Sequence, residues 1–216
     1  MKNIKNVTII DYGMGNIASI ERAFQAIGSA TTVTLDHKII ENSDRIIIPG
    51  VGSFGDSMSE LNKHDLIEPI KNFVKTGKPL LGICLGMQIL FESSKEKGNH
   101  QGLGLIEGKV QRIPCDYNHI TNYRKIPHIG WNTIIPDTED WNSKIFFKIP
   151  QNEFFYFVHS YMCILDNNKY RIAYSKYKEC VITSAIQNNN IIGLQFHPEK
   201  SGKFGLKVLE NFINFF

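Results

Sequence analysis

The 216 residues contain little cysteine, little net charge and no long apolar run, and each shortage excludes a class of protein. The four cysteines, Cys84, Cys115, Cys163 and Cys180, form neither a metal-binding spacing nor a close-set disulfide framework, so a reduced cytoplasm is the expected setting. A formal charge of +3 is too small to imply nucleic acid as a partner. No apolar stretch approaches the ~20 residues of a membrane span. The first apolar run, Val7 to Ile10, is cut short by Asp11, far below the length of a secretion signal's core. There is no internal repeat, and Asn188-Asn189-Asn190 reads as a turn. His37, His64, His100 and His119 are scattered and read as superficial, and Lys71, Lys75 and Lys78 read as the solvated face of a helix.

A hydrophobic share of 42% over 216 residues suits one compact domain, expected to occupy 1–216. The first half alternates strand and helix, which predicts a parallel sheet because parallel strands need crossover connections. Strands are expected at Val7 to Ile10, Thr32 to Leu35, Arg45 to Ile48 and Leu80 to Ile83. Helices are expected at Ile17 to Ile27, at Leu66 to Thr76 closed by Gly77, and at Leu85 to Ser93. Beyond Gly104 the apolar runs shorten: Lys109 to Ile113, Asn132 to Ile135, Glu153 to Val158, Arg171 to Tyr174, Val181 to Gln187 and Ile191 to Gln195. Several of these are expected to be antiparallel. Lys203 to Phe215 has the spacing of an amphipathic helix packed on the sheet.

The chemistry begins at Gly82-Ile83-Cys84-Leu85-Gly86, one cysteine between two glycines where an apolar strand turns into a helix. Glycines at those positions let strand and helix crowd together and push the central side chain out of the sheet, the geometry of a nucleophile elbow. The helix N-terminus beneath favours a thiolate. Cys84 is therefore the candidate nucleophile. Gln88, one turn on, faces the same pocket. A base stands in Gln195-Phe196-His197-Pro198-Glu199. If that segment is extended, as Pro198 favours, His197 and Glu199 share a face, and the carboxylate can fix the imidazole's tautomer. Pro49-Gly50-Val51-Gly52 follows the apolar run ending at Ile48. His159 lacks a paired carboxylate and reads as structural. Trp131 is as easily a core aromatic as a surface one.

Gly-Ile-Cys-Leu-Gly-Met-Gln with His-Pro-Glu near the C-terminus resembles the class I (triad) glutamine amidotransferases. That resemblance implies an α/β fold, a three-layer mostly parallel sheet flanked by helices, with antiparallel strands in the second half, and a Cys84–His197–Glu199 triad that releases ammonia from glutamine. It implies oxyanion-hole backbone at Val51, Gly52 and Leu85, and substrate contacts from Gly52, Gln88, Ser160 and Tyr161. No metal or organic cofactor is required. Asp11-Tyr12-Gly13-Met14-Gly15-Asn16, Pro127-His128-Ile129-Gly130-Trp131-Asn132 and Tyr156-Phe157-Val158-His159-Ser160-Tyr161 further resemble the glutaminase subunits of imidazole glycerol phosphate synthases. In those, the ammonia crosses to a separate (β/α)₈ cyclase that makes imidazole glycerol phosphate and AICAR in histidine biosynthesis. The implied docking residues are Asn16, Trp131, Tyr156 and Lys200. Three other readings stay open at this level: a glutaminase serving a sugar-amidating synthase, a cysteine hydrolase of another substrate, and a silent binding subunit.

Overall fold

The computed structural model describes residues 6–114 and 125–216; Cys115 and His119 lie outside them. The first half contains β1 (Asn6–Ile10), α1 (Ile17–Ala26), β2 (Ala30–Thr34), α2 (His37–Asn42), β3 (Ile46–Ile48), α3 (Phe54–Lys63), α4 (Ile67–Lys75), β4 (Leu80–Ile83) and α5 (Leu85–Gln88). There follow the strands β5 (Phe91–Ser94), β6 (His100–Gln101), β7 (Ile106–Arg112), β8 (His128–Thr133), β9 (Ile135–Pro136), β10 (Phe154–His159) and β11 (Tyr161–Leu165). Then come β12 (Arg171–Tyr177), β13 (Cys180–Asn188), β14 (Ile191–Leu194) and α6 (Gly202–Phe215).

The main sheet runs β2-β1-β3-β4-β14-β13-β12-β9. Its pairs from β2 to β14 are parallel, and those from β14 to β9 antiparallel, as the change of texture along the chain led us to expect. The central strands read Ile-Ile-Ile and Leu-Leu-Gly-Ile because both their faces are covered. Ile47, Leu81 and Ile192 pack with Phe24 of α1 and Val208, Leu209 and Phe212 of α6 on one side. Their chain neighbours Ile46, Ile48, Leu80 and Ile191 pack with Phe54, Ile70 and Phe73 of α3 and α4 on the other. Two-residue alternation thus places a helix layer on each face. Asn211 of α6 is fully buried; its Nδ2 donates to the carbonyls of Ile145 (3.0 Å) and Phe147 (2.8 Å), which satisfies the amide's donors and fastens the helix, while its Oδ1 has no hydrogen-bond partner. Two smaller sheets complete the fold, β11-β7-β5-β6 and the antiparallel ribbon β8-β10.

The elbow helix is much shorter than expected. Its α-helical turn ends at Gln88, and Phe91–Ser94 is a strand, so the expected helix from Leu85 to Ser93 is corrected. The carbonyls of Ile89 and Leu90 accept N–H groups from Leu103 and from Leu105 and Ile106. Backbone fourteen or more residues away takes the acceptors that a continuing helix would use. The second strand lies at Ala30–Thr34, two residues earlier than Thr32 at its start. Helices α2 and α3 and strand β11 carry no expectation from the sequence. Lys78 lies beyond the end of α4, its Nζ donating to the Ser43 carbonyl at 2.8 Å.

Glycine is a steric necessity where α5 crosses the sheet. A Cβ on Gly82 would stand 2.6 Å from the Gly86 carbonyl oxygen, and one on Gly86 would run into the Ile48 carbonyl oxygen. Backbone on both sides leaves neither contact a way to relax. Gly86→Ala is expected to lower folding stability by roughly 2–3 kcal/mol, seen as a lower urea midpoint. An unchanged midpoint would disprove the close approach.

Candidate active site

Three adjacent parallel strands end together at the site. β3 leads into Pro49-Gly50-Val51-Gly52, β4 into Cys84, and β14 into Gln195-Phe196-His197. Clefts at the carboxyl ends of parallel strands are where α/β sheets bind ligands. Cys84 caps α5 with φ 55 and ψ −107, a backbone strained for any residue bearing a Cβ. Its N–H donates to the Leu194 carbonyl at 2.7 Å, tying the elbow to the strand that delivers His197. The side chain is buried. Gln195 Nε2 approaches Sγ at 3.7 Å, and Sγ lies 3.8 Å from the Val158 carbonyl oxygen.

His197 Nδ1 meets Glu199 Oε1 at 2.7 Å, with both side chains buried. The segment is not extended, however: Pro198–Lys200 is a 3-10 turn with proline at its start. The turn brings the two side chains together in place of strand alternation, and proline suits it because it needs no N–H there. Ser201 Oγ donates to the His197 carbonyl at 2.6 Å, and the His197 N–H donates to the Tyr156 carbonyl at 2.9 Å, so the ring's backbone is held from both sides. Its Nε2 is buried with no hydrogen-bond partner other than the Cys84 side chain, whose proton it can take. Burial by itself would lower the imidazole pKa. The charge of Cys84 and a hydrogen bond to it, and then the hydrogen bond and charge of Glu199, outweigh it and raise the pKa to about 10. The pair is thus suited to hold a thiolate beside an imidazolium.

Cys84 and His197 share a cavity of about 310 Å³ with Val51, Gly52, Leu85, Gln88, Ser160 and Tyr161. The site residues expected from the sequence are therefore brought together, with Glu199 directly behind His197. The Leu85 N–H, first in its helix, has no intrahelical acceptor. The Val51 N–H, by contrast, donates to the Met14 carbonyl at 2.8 Å and is turned to the loop after β1. Gln88 donates both its N–H groups inward, to the Tyr161 carbonyl (3.1 Å) and to Gln195 Oε1 (3.0 Å), which leaves Oε1 as its offer to a ligand.

Two further residues were not expected. Gln195, fully buried, links Gln88 to the sulfur; the one polar residue in Leu194-Gln195-Phe196 was the available signal. Glu96, nearly buried, lines the cavity, and its Oε2 accepts the Phe54 N–H at 2.7 Å. Nothing local in Ser94-Lys95-Glu96 separates it from a surface acid. His159 borders the cavity but carries no carboxylate. Burial first, and then the neighbouring His128 and His197, lower its pKa to about 3 against the raising effect of its bond to the Tyr161 carbonyl, so it stays neutral. Trp131 is 56% exposed, which resolves the open choice in favour of the surface. It stands opposite Tyr156 in the β8–β10 ribbon, edge-on at 6.2 Å, and Lys200 Nζ lies 5.9 Å from the Tyr156 ring centre. With Ile129 and Phe154 these form an exposed apolar face. Asn16 is exposed, and its side chain accepts the Ser19 N–H to cap α1.

The family model of class-I glutamine amidotransferases matches residues 8–215. The chain is 44% identical over 212 residues to the imidazole glycerol phosphate synthase subunit HisH 1 of Legionella pneumophila (strain Lens), covering 97% of this chain and 99% of that protein. It is 45% identical over 209 residues to subunit HisH of Sulfurimonas denitrificans, covering 97% and 98%. Among solved structures, PurLQS from Thermotoga maritima superposes with a TM-score of 0.69 at 19% identity over 98% of each chain. The glutaminase domain of Trypanosoma brucei CTPS with bound acivicin superposes with a TM-score of 0.60 at 16% identity over 96% and 93%. At such identities the likeness is one of fold.

The raised pKa of His197 yields a signed prediction. Its contribution to stability is complete below about pH 6.5, the free imidazole value, and is lost as pH rises through about 10. In ring-nitrogen NMR titrations, Cys84→Ala should lower the His197 pKa, because the main charge raising it is gone while burial still acts. An unchanged value would remove the Cys84–His197 coupling.

Proposed function

The chain belongs to the class-I glutamine amidotransferases, and on that premise we propose that it is the glutaminase subunit of an imidazole glycerol phosphate synthase, one domain over 1–216. The observation that carries the reading is the meeting of Cys84, His197 and the Val51–Gly52 loop in one cavity, with Glu199 bonded to the far side of the imidazole. Identity above 40% to HisH subunits over nearly the full chain supports the choice of synthase. The Cys84 thiolate attacks the side-chain amide of glutamine. N–H groups of Leu85 and of the Val51–Gly52 loop stabilise the developing oxyanion, each worth roughly 3 kcal/mol. His197 protonates the departing ammonia, and a glutamyl thioester remains. Water activated by His197 then releases glutamate. Glu199 orients the imidazole and compensates its charge.

The Ser160–Tyr161 backbone and Gln88 hold the amino-acid end of the substrate, and the Glu96 carboxylate suits its ammonium. No cofactor is needed for these steps. The exposed face of Trp131, Tyr156 and Lys200, with Asn16, is the docking side for a (β/α)₈ cyclase that consumes the ammonia. Docking also governs turnover. While the Val51 N–H is given to Met14, the oxyanion hole lacks one donor, and binding of cyclase with its nucleotide favours the rotated peptide. The buried cysteines Cys84, Cys163 and Cys180 suit a reducing cytoplasm, and no helix among the described residues is long and apolar enough to cross a membrane.

Product formation with two nitrogen sources tests the whole scheme. The isolated chain should hydrolyse glutamine poorly, and cyclase with its ribulosyl-formimino nucleotide should raise turnover strongly. Cys84→Ala should abolish glutamine-dependent synthesis yet leave synthesis from ammonium salt intact. Glu199→Gln should retain a residual rate, down on the order of 10²–10⁴-fold. Full activity without cyclase, and no binding to it, would transfer the assignment to a sugar-amidating or independent glutaminase. A glutamine-like electrophile should label Cys84 and spare Cys115, Cys163 and Cys180, read by peptide mass spectrometry. Equal labelling would reject the nucleophile.

A further inference from the structure

At the edge of the cavity begins a pair of histidines that the mechanism does not use: His159 lines it and His128 stands behind His159. His128 Nδ1 and His159 Nε2 are 3.0 Å apart, and both side chains are buried. The direction of every bond around them follows from one fixed point. His159 Nδ1 lies 2.7 Å from the Tyr161 carbonyl oxygen, which can only accept, so Nδ1 carries the proton. In the neutral ring Nε2 is then an acceptor, and His128 must donate to it from Nδ1. His128 Nε2 is left as an acceptor and meets the Asn132 amide nitrogen at 3.3 Å. That nitrogen also donates to the Lys176 carbonyl at 3.1 Å, while Asn132 Oδ1 accepts the Thr133 N–H at 2.8 Å, so the amide's orientation is set independently. Burial lowers the pKa of His128 to about 4 and that of His159 to about 3, so the chain stays neutral at pH 7.

The chain ends on the Tyr161 carbonyl, which Gln88 also engages. The neighbouring Ser160 carbonyl accepts the Ile113 N–H at 2.9 Å. At its other end the chain starts in β8, whose Ile129 and Trp131 form the exposed apolar face. We propose that His128 and His159 are positioning residues for substrate: acting through the Tyr161 carbonyl, they hold the Ser160–Tyr161 backbone in the conformation that receives the amino-acid end of glutamine. This rests on the glutaminase reading above. His159 sets the carbonyl, His128 sets the tautomer of His159, and Asn132 sets that of His128.

Two substitutions separate hydrogen bonding from packing. His128 stacks on Tyr177 (4.1 Å between ring centres) and on Phe157 (4.9 Å). H128F keeps an aromatic ring there and removes the donor. H128N removes the ring and keeps a donor at the Nδ1 position. With cyclase and nucleotide present, H128F should raise the KM for glutamine about tenfold and leave kcat within a factor of about three, and H128N should restore most of the affinity. A packing role gives the reverse order, with H128N the more damaged, and overturns the proposal, as does an unchanged KM in H128F. Ring-nitrogen NMR without glutamine should find both histidines neutral and protonated at Nδ1; an Nε2–H tautomer at His128 overturns the relay. A wild-type complex that hydrolyses no glutamine defeats the glutaminase reading itself, whereas an active wild type with normal KM in H128F defeats only the relay.

Discussion

The close approach of Gly86 in the elbow helix to the Ile48 carbonyl is the constraint on which the site depends. It allows α5 to start directly above the sheet, which forces Cys84 into its positive φ and aims the sulfur out of the strand plane. A side chain at Gly86 would lift the helix and separate the sulfur from the loop after β3 and the imidazole after β14. Gly50 is held by the same crowding, since a Cβ there would stand 2.6 Å from the Gly86 nitrogen. The loop after β3 and the elbow are therefore fitted against each other, and one cannot move without the other.

Electrostatics divides two buried histidines that lie close enough to affect each other. His197 is raised to about 10 and His159 lowered to about 3, although burial pushes both downward. The difference lies in their partners. His197 has a carboxylate and a sulfur, both able to carry negative charge, whereas His159 has a carbonyl and a neutral imidazole. One ring is thereby prepared to exchange protons and the other to hold a fixed direction of donation. Gln88 and Gln195 extend the neutral network to the sulfur, so Cys84 stands among amide groups beside the His197–Glu199 pair.

The elbow, the His-Pro-Glu segment and the glycine loop were legible because their chemistry is local. Glycine spacing, a proline and a carboxylate two residues from a histidine act within a single turn. Where a local rule was pushed further, it failed. The elbow helix stopped at Gln88 because distant backbone captured its carbonyls, and His197 met Glu199 across a 3-10 turn, although an extended segment had been the reason for pairing them. Glu96 and the donor direction of the His128–His159 pair left no mark in the sequence, since each depends on what stands opposite in space.

The sequence by itself determined the residue types of the candidate nucleophile, base and orienting carboxylate, and the apolar runs of the parallel strands, because glycine spacing and continuous apolar runs are short-range properties. Tertiary structure decided the rest. Gln195 reaches Cys84 across 111 positions because β4 and β14 are neighbours in the main sheet, and Gln88 reaches Tyr161, at the start of β11 in another sheet, across 73. The direction of the Val51 N–H was likewise settled by the loop it touches: its acceptor, Met14, follows a strand that pairs with β3. A peptide between two glycines carries no strong preference of its own.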